Sequence, residues 1–225
     1  MKISTFTPLA ILLALIAFNP ALAQEESLRP GANDKYQTQE AERFVKFFEN
    51  ANRDVVKNQD ALVEICKIEE GMTVADIGAG SGLFTRLFAH ATGPDGKVMA
   101  VDITPNFIKH IEATCKEEGI ENVVCVQNTV KTCELDDASV DIVFCCDTYH
   151  HFEFPYEMLS SIRQAMKDDG RFVLVDMIKR KTGGHVRADK ETVISEAKEA
   201  GFELAEDSNM MEKTQIVLVF KKASK

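Results

Sequence analysis

A glycine-rich bend between an apolar strand and a helix constrains the fold of this chain more than any other feature. Residues 74–83 read VADIGAGSGL, with Gly78, Gly80 and Gly82 where the backbone turns from one element to the next. Because glycine has no Cβ, it adopts positive φ without strain and lets another molecule lie against the main chain. The free amides at the start of the following helix attract an anionic group. The bend therefore predicts a ligand site at the carboxyl end of a buried strand.

Strands and amphipathic helices alternate after this bend. Apolar runs predict strands at residues 73–77, 98–101, 122–127, 140–146, 171–177, 202–205 and 215–221, and apolar residues at helical spacing predict helices at 83–91, 105–118, 155–167 and 190–200. This order is typical of an α/β fold with a mostly parallel sheet and helices on both faces. The unbroken apolar run at 140–146 predicts a strand near the middle of the sheet. The last two strands have no helix between them, so we expect them to pair antiparallel.

The first 23 residues predict a secretory signal peptide. Lys2 is followed by an apolar stretch over residues 9–18 and by Ala21-Leu22-Ala23, an A-x-A cleavage pattern. A membrane anchor is disfavoured, because the apolar run is shorter than the roughly 20 residues that cross a bilayer. We therefore expect an exported protein, periplasmic or extracellular, without a stable membrane anchor.

The rest of the chain predicts a short leader and one domain. Residues 24–40 are mostly polar and predict a flexible leader. Apolar residues at helical spacing between residues 44 and 66 predict one or two helices ahead of the sheet. Removal of 23 residues from 225 leaves 202, enough for a single domain that we assign to residues 41–225.

Charge and cysteine spacing limit the possible partners. The net charge of −10 and the absence of a basic stripe disfavour nucleic acid as a partner. The six cysteines match no CxxC metal site, and the 15 pairings that six thiols allow cannot be distinguished. The oligomeric state is likewise not specified.

Two carboxylates beside the glycine-rich bend indicate the kind of ligand. Asp76 precedes the bend, and Asp102 lies 22 residues after Gly80 at the end of the second strand, where it can accept hydrogen bonds from a ribose diol. A dinucleotide site would have a third glycine where Leu83 stands, and pyrophosphate would disfavour Asp76. S-adenosylmethionine has no phosphate and carries a cationic amine and sulfonium, which nearby carboxylates favour. An NAD-dependent oxidoreductase is therefore disfavoured.

Several segments carry a resemblance to a known family. Residues 76–82, DIGAGSG, resemble motif I of the class I S-adenosylmethionine-dependent methyltransferases, a Rossmann-like family whose seven-stranded sheet has an antiparallel last strand. Segments 71–76, 147–152 and 167–171 are similar to those of exported bacterial methyltransferase-like proteins. The resemblance covers about residues 45–221 and implies S-adenosylmethionine as the cofactor.

The resemblance also implies roles for single residues. The methionine part of the cofactor would lie near the glycines, the ribose on Asp102 and the adenine on Ile103. Where the family commonly has an acid that contacts the adenine amino group, this sequence has Thr129. The implied cofactor-binding residues are Asp76, Gly78, Ala79, Gly80, Gly82, Asp102, Ile103, Thr129, Val130 and Cys145.

Candidate catalytic residues follow the fourth strand. A sulfonium methyl group is a strong electrophile, so the protein mainly has to align an acceptor. For a hydroxyl or an acidic carbon as acceptor, Asp147, His150 or His151 is the expected general base. The alternative is that these side chains only hydrogen-bond the loop that leads to the next helix.

Tyr149, Asp176 and His185 are the candidate substrate contacts. Tyr149 is expected to line a pocket or to pack in the core, and His185 to belong to a lid or to lie in solvent. A metal site that joins Cys145 and Cys146 to the histidines is disfavoured, because adjacent residues of a strand point to opposite faces. We therefore predict no metal site.

Two functions remain open at this point. The first is a methyltransferase that acts on a small molecule. The second is a catalytically silent binding module that keeps the fold outside the cytoplasm, where a supply of S-adenosylmethionine is not assured. No motif identifies the acceptor atom.

Overall fold

The structure, a computed structural model, describes residues 24–37, 40–179 and 184–224. Its helices are α1 (Asp34–Gln37), α2 (Ala41–Phe48), α3 (Asp54–Lys57), α4 (Gln59–Cys66), α5 (Leu83–Thr92), α6 (Pro105–Glu118), α7 (Pro155–Ala165) and α8 (Lys190–Glu199). Its strands are β1 (Thr73–Ile77), β2 (Lys97–Asp102), β3 (Val123–Gln127), β4 (Val140–Cys146), β5 (Met166–Met177), β6 (Phe202–Ser208) and β7 (Gln215–Lys222). The predicted signal peptide lies outside the described residues. Within those residues, no helix combines the length and apolar character that a membrane crossing requires.

The seven strands form one sheet in the order β3-β2-β1-β4-β5-β7-β6. The pairs from β3 to β5 are parallel, and β7 runs antiparallel to both β5 and β6. This arrangement confirms the predicted mostly parallel α/β sheet with its antiparallel last strand. It also confirms the predicted central place of β4, the fourth of seven strands.

Two strands are longer than the sequence predicts by at least three residues. The run over residues 171–177 belongs to β5, which already begins at Met166 because Met166 pairs with Val140 of β4. Helix α7 accordingly ends at Ala165 rather than at residue 167. Strand β6 extends to Ser208, which pairs with Val217 of β7. In both places, backbone pairing with a neighbouring strand outweighs the local polar composition.

The core lies on both faces of the sheet. On one face, Phe144 of β4 packs against Phe84 and Phe88 of α5, with ring centroids 4.7 and 5.0 Å apart. On the other face, the next residue, Cys145, packs in a cluster that includes Leu159 of α7. Adjacent residues of β4 thus point to opposite faces, as expected. All six cysteines of the chain are unpaired.

The segment that the sequence predicts as a flexible leader is docked on the domain over its described part. The Leu28 amide donates to the Glu153 carbonyl at 2.9 Å, and the Arg29 guanidinium donates to the His150 carbonyl at 3.0 Å. Helix α1 and residues around it therefore lie beside the short 3-10 helix Tyr149–His151 that follows β4.

The strand order places a crevice at the carboxyl ends of β1 and β4. From β1 the chain proceeds outward to β2 and β3, then returns to β4 on the other side of β1. In open α/β sheets, ligands bind where the strand order reverses in this way. The loops after β1 and β4 are therefore the floor of the candidate site.

Candidate active site

The loop after β1 depends on glycine at residue 78. Gly78 has φ +73°, and its amide donates to the Val101 carbonyl at 2.8 Å. A Cβ on Gly78 would lie 2.2 Å from a side-chain carbon of Thr148, in the loop after β4. Only glycine allows the two loops to approach this closely.

Asp102 is held by backbone amides on both carboxylate oxygens. The Gly80 amide donates to Oδ2 and the Thr104 amide donates to Oδ1, each at 2.8 Å. Burial raises the pKa of Asp102 to about 6, although these hydrogen bonds favour the ionised form. Each oxygen accepts only one of these bonds, so the carboxylate keeps capacity to accept from a ribose diol.

Asp76 is the second buried acid of the site. It is 3% exposed, and the Thr85 hydroxyl donates to its Oδ2 at 2.7 Å. Burial raises the pKa of Asp76 to about 7, and the nearby Asp102 charge acts in the same direction. A cationic ligand group beside Asp76 would favour the ionised form again.

Two adjoining cavities occupy the crevice. Their volumes, open mouths included, are about 680 and 520 Å³. They share the walls Phe48, Gly78, Gly80, Asp147 and Thr148. Together they form one elongated cleft, which we call the cofactor cleft.

Eight of the ten predicted cofactor-binding residues line this cleft. The first cavity is lined by Gly78, Gly80, Asp102, Ile103, Thr129 and Val130, and the second by Asp76, Gly78, Ala79 and Gly80. Neither cavity is lined by Gly82 or Cys145. Gly82 directly precedes α5, and a Cβ added to it would lie 2.9 Å from Ile111. Cys145 is fully buried, and its neighbour Cys146 lines the second cavity instead.

Asp147 lies where the two cavities meet. Its φ is +50°, a conformation that non-glycine residues rarely adopt. Its Oδ2 is paired with the Arg53 guanidinium, whereas its Oδ1 is buried without a hydrogen-bond partner among the described residues. Burial, followed by the charge of Asp176, raises the pKa of Asp147. A strained and partly unpaired acid at this point is a candidate for contact with a ligand.

The two predicted histidines have different surroundings. His150 is 1% exposed, and its Nδ1 lies 2.5 Å from Oδ1 of Asp176, whose Oδ2 accepts from the His150 amide at 2.8 Å. His151 lines the first cavity, with its Nδ1 3.3 Å from the Ala32 carbonyl. Burial, followed by the charge of His150, lowers the pKa of His151 to about 3, so this ring is neutral at pH 7.

The three candidate substrate residues lie at different depths. Tyr149 is fully buried and donates to the Glu196 carboxylate, so it packs behind the cleft and not in its wall. Asp176 is buried and contacts His150 through both of its carboxylate oxygens. His185 is exposed and lines a third, outer cavity of about 1210 Å³, which also has Asp147 in its wall. We call this third cavity the outer cavity.

The residues that cover the cleft were predicted only in part. Tyr36, Phe44 and Phe48 of α1 and α2 pack around Phe107 of α6, with each ring centroid 5.8–6.1 Å from that of Phe107. The spacing of the phenylalanines in α2 predicts core packing or a pocket lid, but nothing in the sequence placed Tyr36 there. Arg53, which pairs with Asp147, was also missed.

Comparison with known proteins agrees with this architecture. The profile of a family described as "Methyltransferase domain" matches residues 68–221. The uncharacterized methyltransferase YcgJ of Bacillus subtilis (strain 168) is 32% identical over 111 residues, 49% of this chain and 42% of that protein. A ubiquinone/menaquinone biosynthesis C-methyltransferase of Ectopseudomonas mendocina (strain ymp) is 25% identical over 172 residues, 71% of this chain and 67% of that protein. The aligned regions thus span between 42% and 67% of these two curated relatives.

Solved structures share the fold. A crystal structure of a SAM-dependent methyltransferase from Aquifex aeolicus aligns with a TM-score of 0.73 at 20% identity and covers 82% of this chain and 100% of that one. The crystal structure of the Bacillus subtilis YcgJ protein aligns with a TM-score of 0.64 at 16% identity, over 75% of this chain and 99% of that one.

The chain belongs to the methyltransferase-domain family, whose profile covers its sheet except for Lys222, the last residue of β7. The predicted membership of the class I methyltransferases is confirmed by this match together with the fold. Family and fold also support S-adenosylmethionine as the cofactor.

The contact between Gly78 and Thr148 generates a stability prediction. Gly78→Ala should lose about 1 kcal/mol through its positive φ and a further 1–3 kcal/mol through the clash with Thr148. Gly119→Ala is a matched control, because Gly119 has φ +70° but open space around its missing Cβ. Urea unfolding of both variants measures the difference, and equal losses would show that the loop contact is unimportant.

The buried acid at residue 76 generates a pH prediction. Because the folded pKa of Asp76 is about 7, above the unfolded value of about 4, the folded protein without ligand loses stability as the pH rises through that interval. Asp76→Asn should remove about 2–3 kcal/mol of this loss between pH 5 and pH 8, because the folded pKa lies roughly two units above pH 5. Urea unfolding at both pH values tests it, with Asp95→Asn on an exposed turn as the control. Parallel pH dependences of Asp76→Asn and the wild type would contradict the prediction.

Proposed function

We propose that this protein transfers the methyl group of S-adenosylmethionine to a small-molecule acceptor. The observation that carries the proposal is the place of Asp147, which lines both cavities of the cofactor cleft and also the outer cavity. A group at such a junction can touch both a cofactor in the cleft and an acceptor in the outer cavity.

The residues of the cleft fit this cofactor. Asp102 would accept from the ribose, with the adenine between Ile103 and Val130 in the first cavity. Asp76 in the second cavity would attract the cationic amine, and Arg53 in the same wall would attract the carboxylate. The unpartnered Oδ1 of Asp147 and the glycine backbone supply the remaining polar surface. The cofactor, when bound, supplies a methyl carbon on a cationic sulfur that keeps the electron pair of the broken bond.

The outer cavity would admit the acceptor. Phe47, Ile178 and His185 are among the residues in its walls, beside Asp147. Asp147 would orient the acceptor and take its proton as the acceptor atom bonds to the methyl carbon. Burial raises the pKa of Asp147, which makes its carboxylate a stronger base than that of an exposed aspartate. One relative is named a C-methyltransferase, so acidic carbons belong among the acceptors to be tried.

We further propose that the protein acts outside the cytoplasm. The basis is the A-x-A pattern and apolar run of residues 1–23. Amino-terminal sequencing of the protein recovered from its native host tests the proposed cleavage after Ala23. A chain that retains residues 1–23 would overturn it.

The ribose contact generates a binding prediction. Asp102→Asn should weaken S-adenosylmethionine binding by about 1–3 kcal/mol, because a charge-assisted acceptor becomes a neutral one. Asp95→Asn, outside the cleft, should bind as the wild type does. Calorimetric titration with S-adenosylmethionine and its demethylated product measures both. Unchanged affinity in Asp102→Asn would remove this residue from the site.

The position of Asp147 between the cofactor cleft and the outer cavity generates a catalytic prediction. Asp147→Asn should lower kcat by about 100-fold or more while cofactor affinity changes much less, because the base acts on the acceptor. Asp54→Asn is the matched control, since Asp54 lines the outer cavity but not the cofactor cleft. Release of the demethylated cofactor is followed with a panel of phenols, thiols and acidic carbon compounds. Equal kcat in both variants would exclude Asp147 as the base, and tight cofactor binding without turnover would favour the silent binding module.

A further inference from the structure

Three histidines that are distant in sequence come together beside the cofactor cleft. The ring centroids of His150 and His151 are 4.2 Å apart, and those of His150 and His185 are 4.8 Å apart. One nitrogen from each of the three rings lies within 4.8 Å of the others. His185 lies 34 residues after His151 in the sequence, so the cluster does not follow from a short sequence motif.

The buried rings are oriented with one nitrogen free. His150 Nδ1 faces Asp176 at 2.5 Å, and His151 Nδ1 faces the Ala32 carbonyl at 3.3 Å. Both contacts place the ring proton on Nδ1 and leave Nε2 with a lone pair. Metal-binding histidines are commonly oriented in this way, by a carboxylate or a carbonyl on the nitrogen that does not bind.

One of these free nitrogens has no other explanation in the structure. His150 Nε2 is buried and has no hydrogen-bond partner among the described residues. A buried polar atom without a partner costs about 1–3 kcal/mol. If the three rings only packed against one another, Nε2 of His150 would stay without a partner. A bound cation would accept its lone pair and remove this cost.

The charges around the cluster favour a cation. Asp176 touches His150 directly, and the charge of Asp147 also acts on His150. Arg29 and Lys35 act on His151 in the opposite sense, and Arg53 is paired with Asp147. Asp176 is buried, whereas Arg29 is half-buried and Lys35 is exposed, so the negative charge in direct contact with the cluster is the least screened.

We propose that His150, His151 and His185 bind a divalent transition-metal ion of the zinc type. Imidazole nitrogens suit zinc and its neighbours, and three protein ligands leave a fourth position open for water or for an acceptor oxygen. Nitrogens on a tetrahedral ion are roughly 3.4 Å apart, so the exposed His185 has to move inward by a small amount on binding. The ion would lie between the cofactor cleft, which His151 lines, and the outer cavity, which His185 lines.

Metal titration tests the site directly. The protein is purified without a polyhistidine tag, stripped with a chelator, dialysed and titrated with Zn²⁺ by calorimetry and with Co²⁺ by visible absorption. We expect one ion per chain, and a Co²⁺ spectrum without a thiolate charge-transfer band because the ligands are nitrogens. His185→Ala should weaken binding at least tenfold, and its exposed position spares the fold. His90→Ala, an exposed histidine on α5, should bind as the wild type does.

A variant of Asp176, which orients His150, distinguishes a metal site from three rings that only pack together. Asp176→Asn, which keeps the shape of the side chain that holds His150, should weaken Zn²⁺ binding by about 10–100-fold. Absence of stoichiometric binding, a thiolate band, or equal affinity in His185→Ala and His90→Ala would overturn the proposal. Titration of S-adenosylmethionine with chelator present gives an independent result, so failure of the metal site and failure of the proposed methyltransferase function are distinguishable.

Discussion

The close approach of the loops after β1 and β4 is the constraint on which the rest of the site depends. Gly78 and Thr148 touch where any larger residue at 78 would collide. This contact brings Asp76 and Asp102 to the same cleft as Asp147, which lies in the loop after β4. The central position of β4 makes the approach possible, because β4 is hydrogen-bonded directly to β1.

A second general feature of the site is the burial of acidic side chains. The pKa values of Asp76, Asp102 and Asp147 are all raised, in each case mainly by burial. Maintaining several acids in such surroundings opposes stability unless a partner is present. The arrangement is therefore understandable for a protein that binds a ligand with cationic groups, and it ties ligand affinity to the stability of the folded chain.

Much of the fold followed from sequence periodicity, while part of the site did not. The mostly parallel sheet, its antiparallel end and the cleft walls around Gly78 and Asp102 could be predicted, because local patterns determine them. The extension of β6 to Ser208 could not, because its polar residues pair with β7 only in the folded sheet. Arg53 and Tyr36 were equally inaccessible, since each reaches the cleft from a segment with no motif of its own. For Tyr149 the sequence left a pocket wall and core packing as alternatives, and its buried partner Glu196, which only tertiary structure reveals, favours the core.

The floor and the roof of the cleft belong to different parts of the chain. The floor consists of the loops after β1 and β4 and lies within residues 68–221, which the family profile matches, whereas Tyr36, Phe44 and Phe48 precede that region. Substitutions in the roof can therefore reshape the cleft without disturbing the strand pairing beneath it. Phe47 of α2 also lines the outer cavity, so the amino-terminal helices can alter what that cavity admits while the sheet stays as it is.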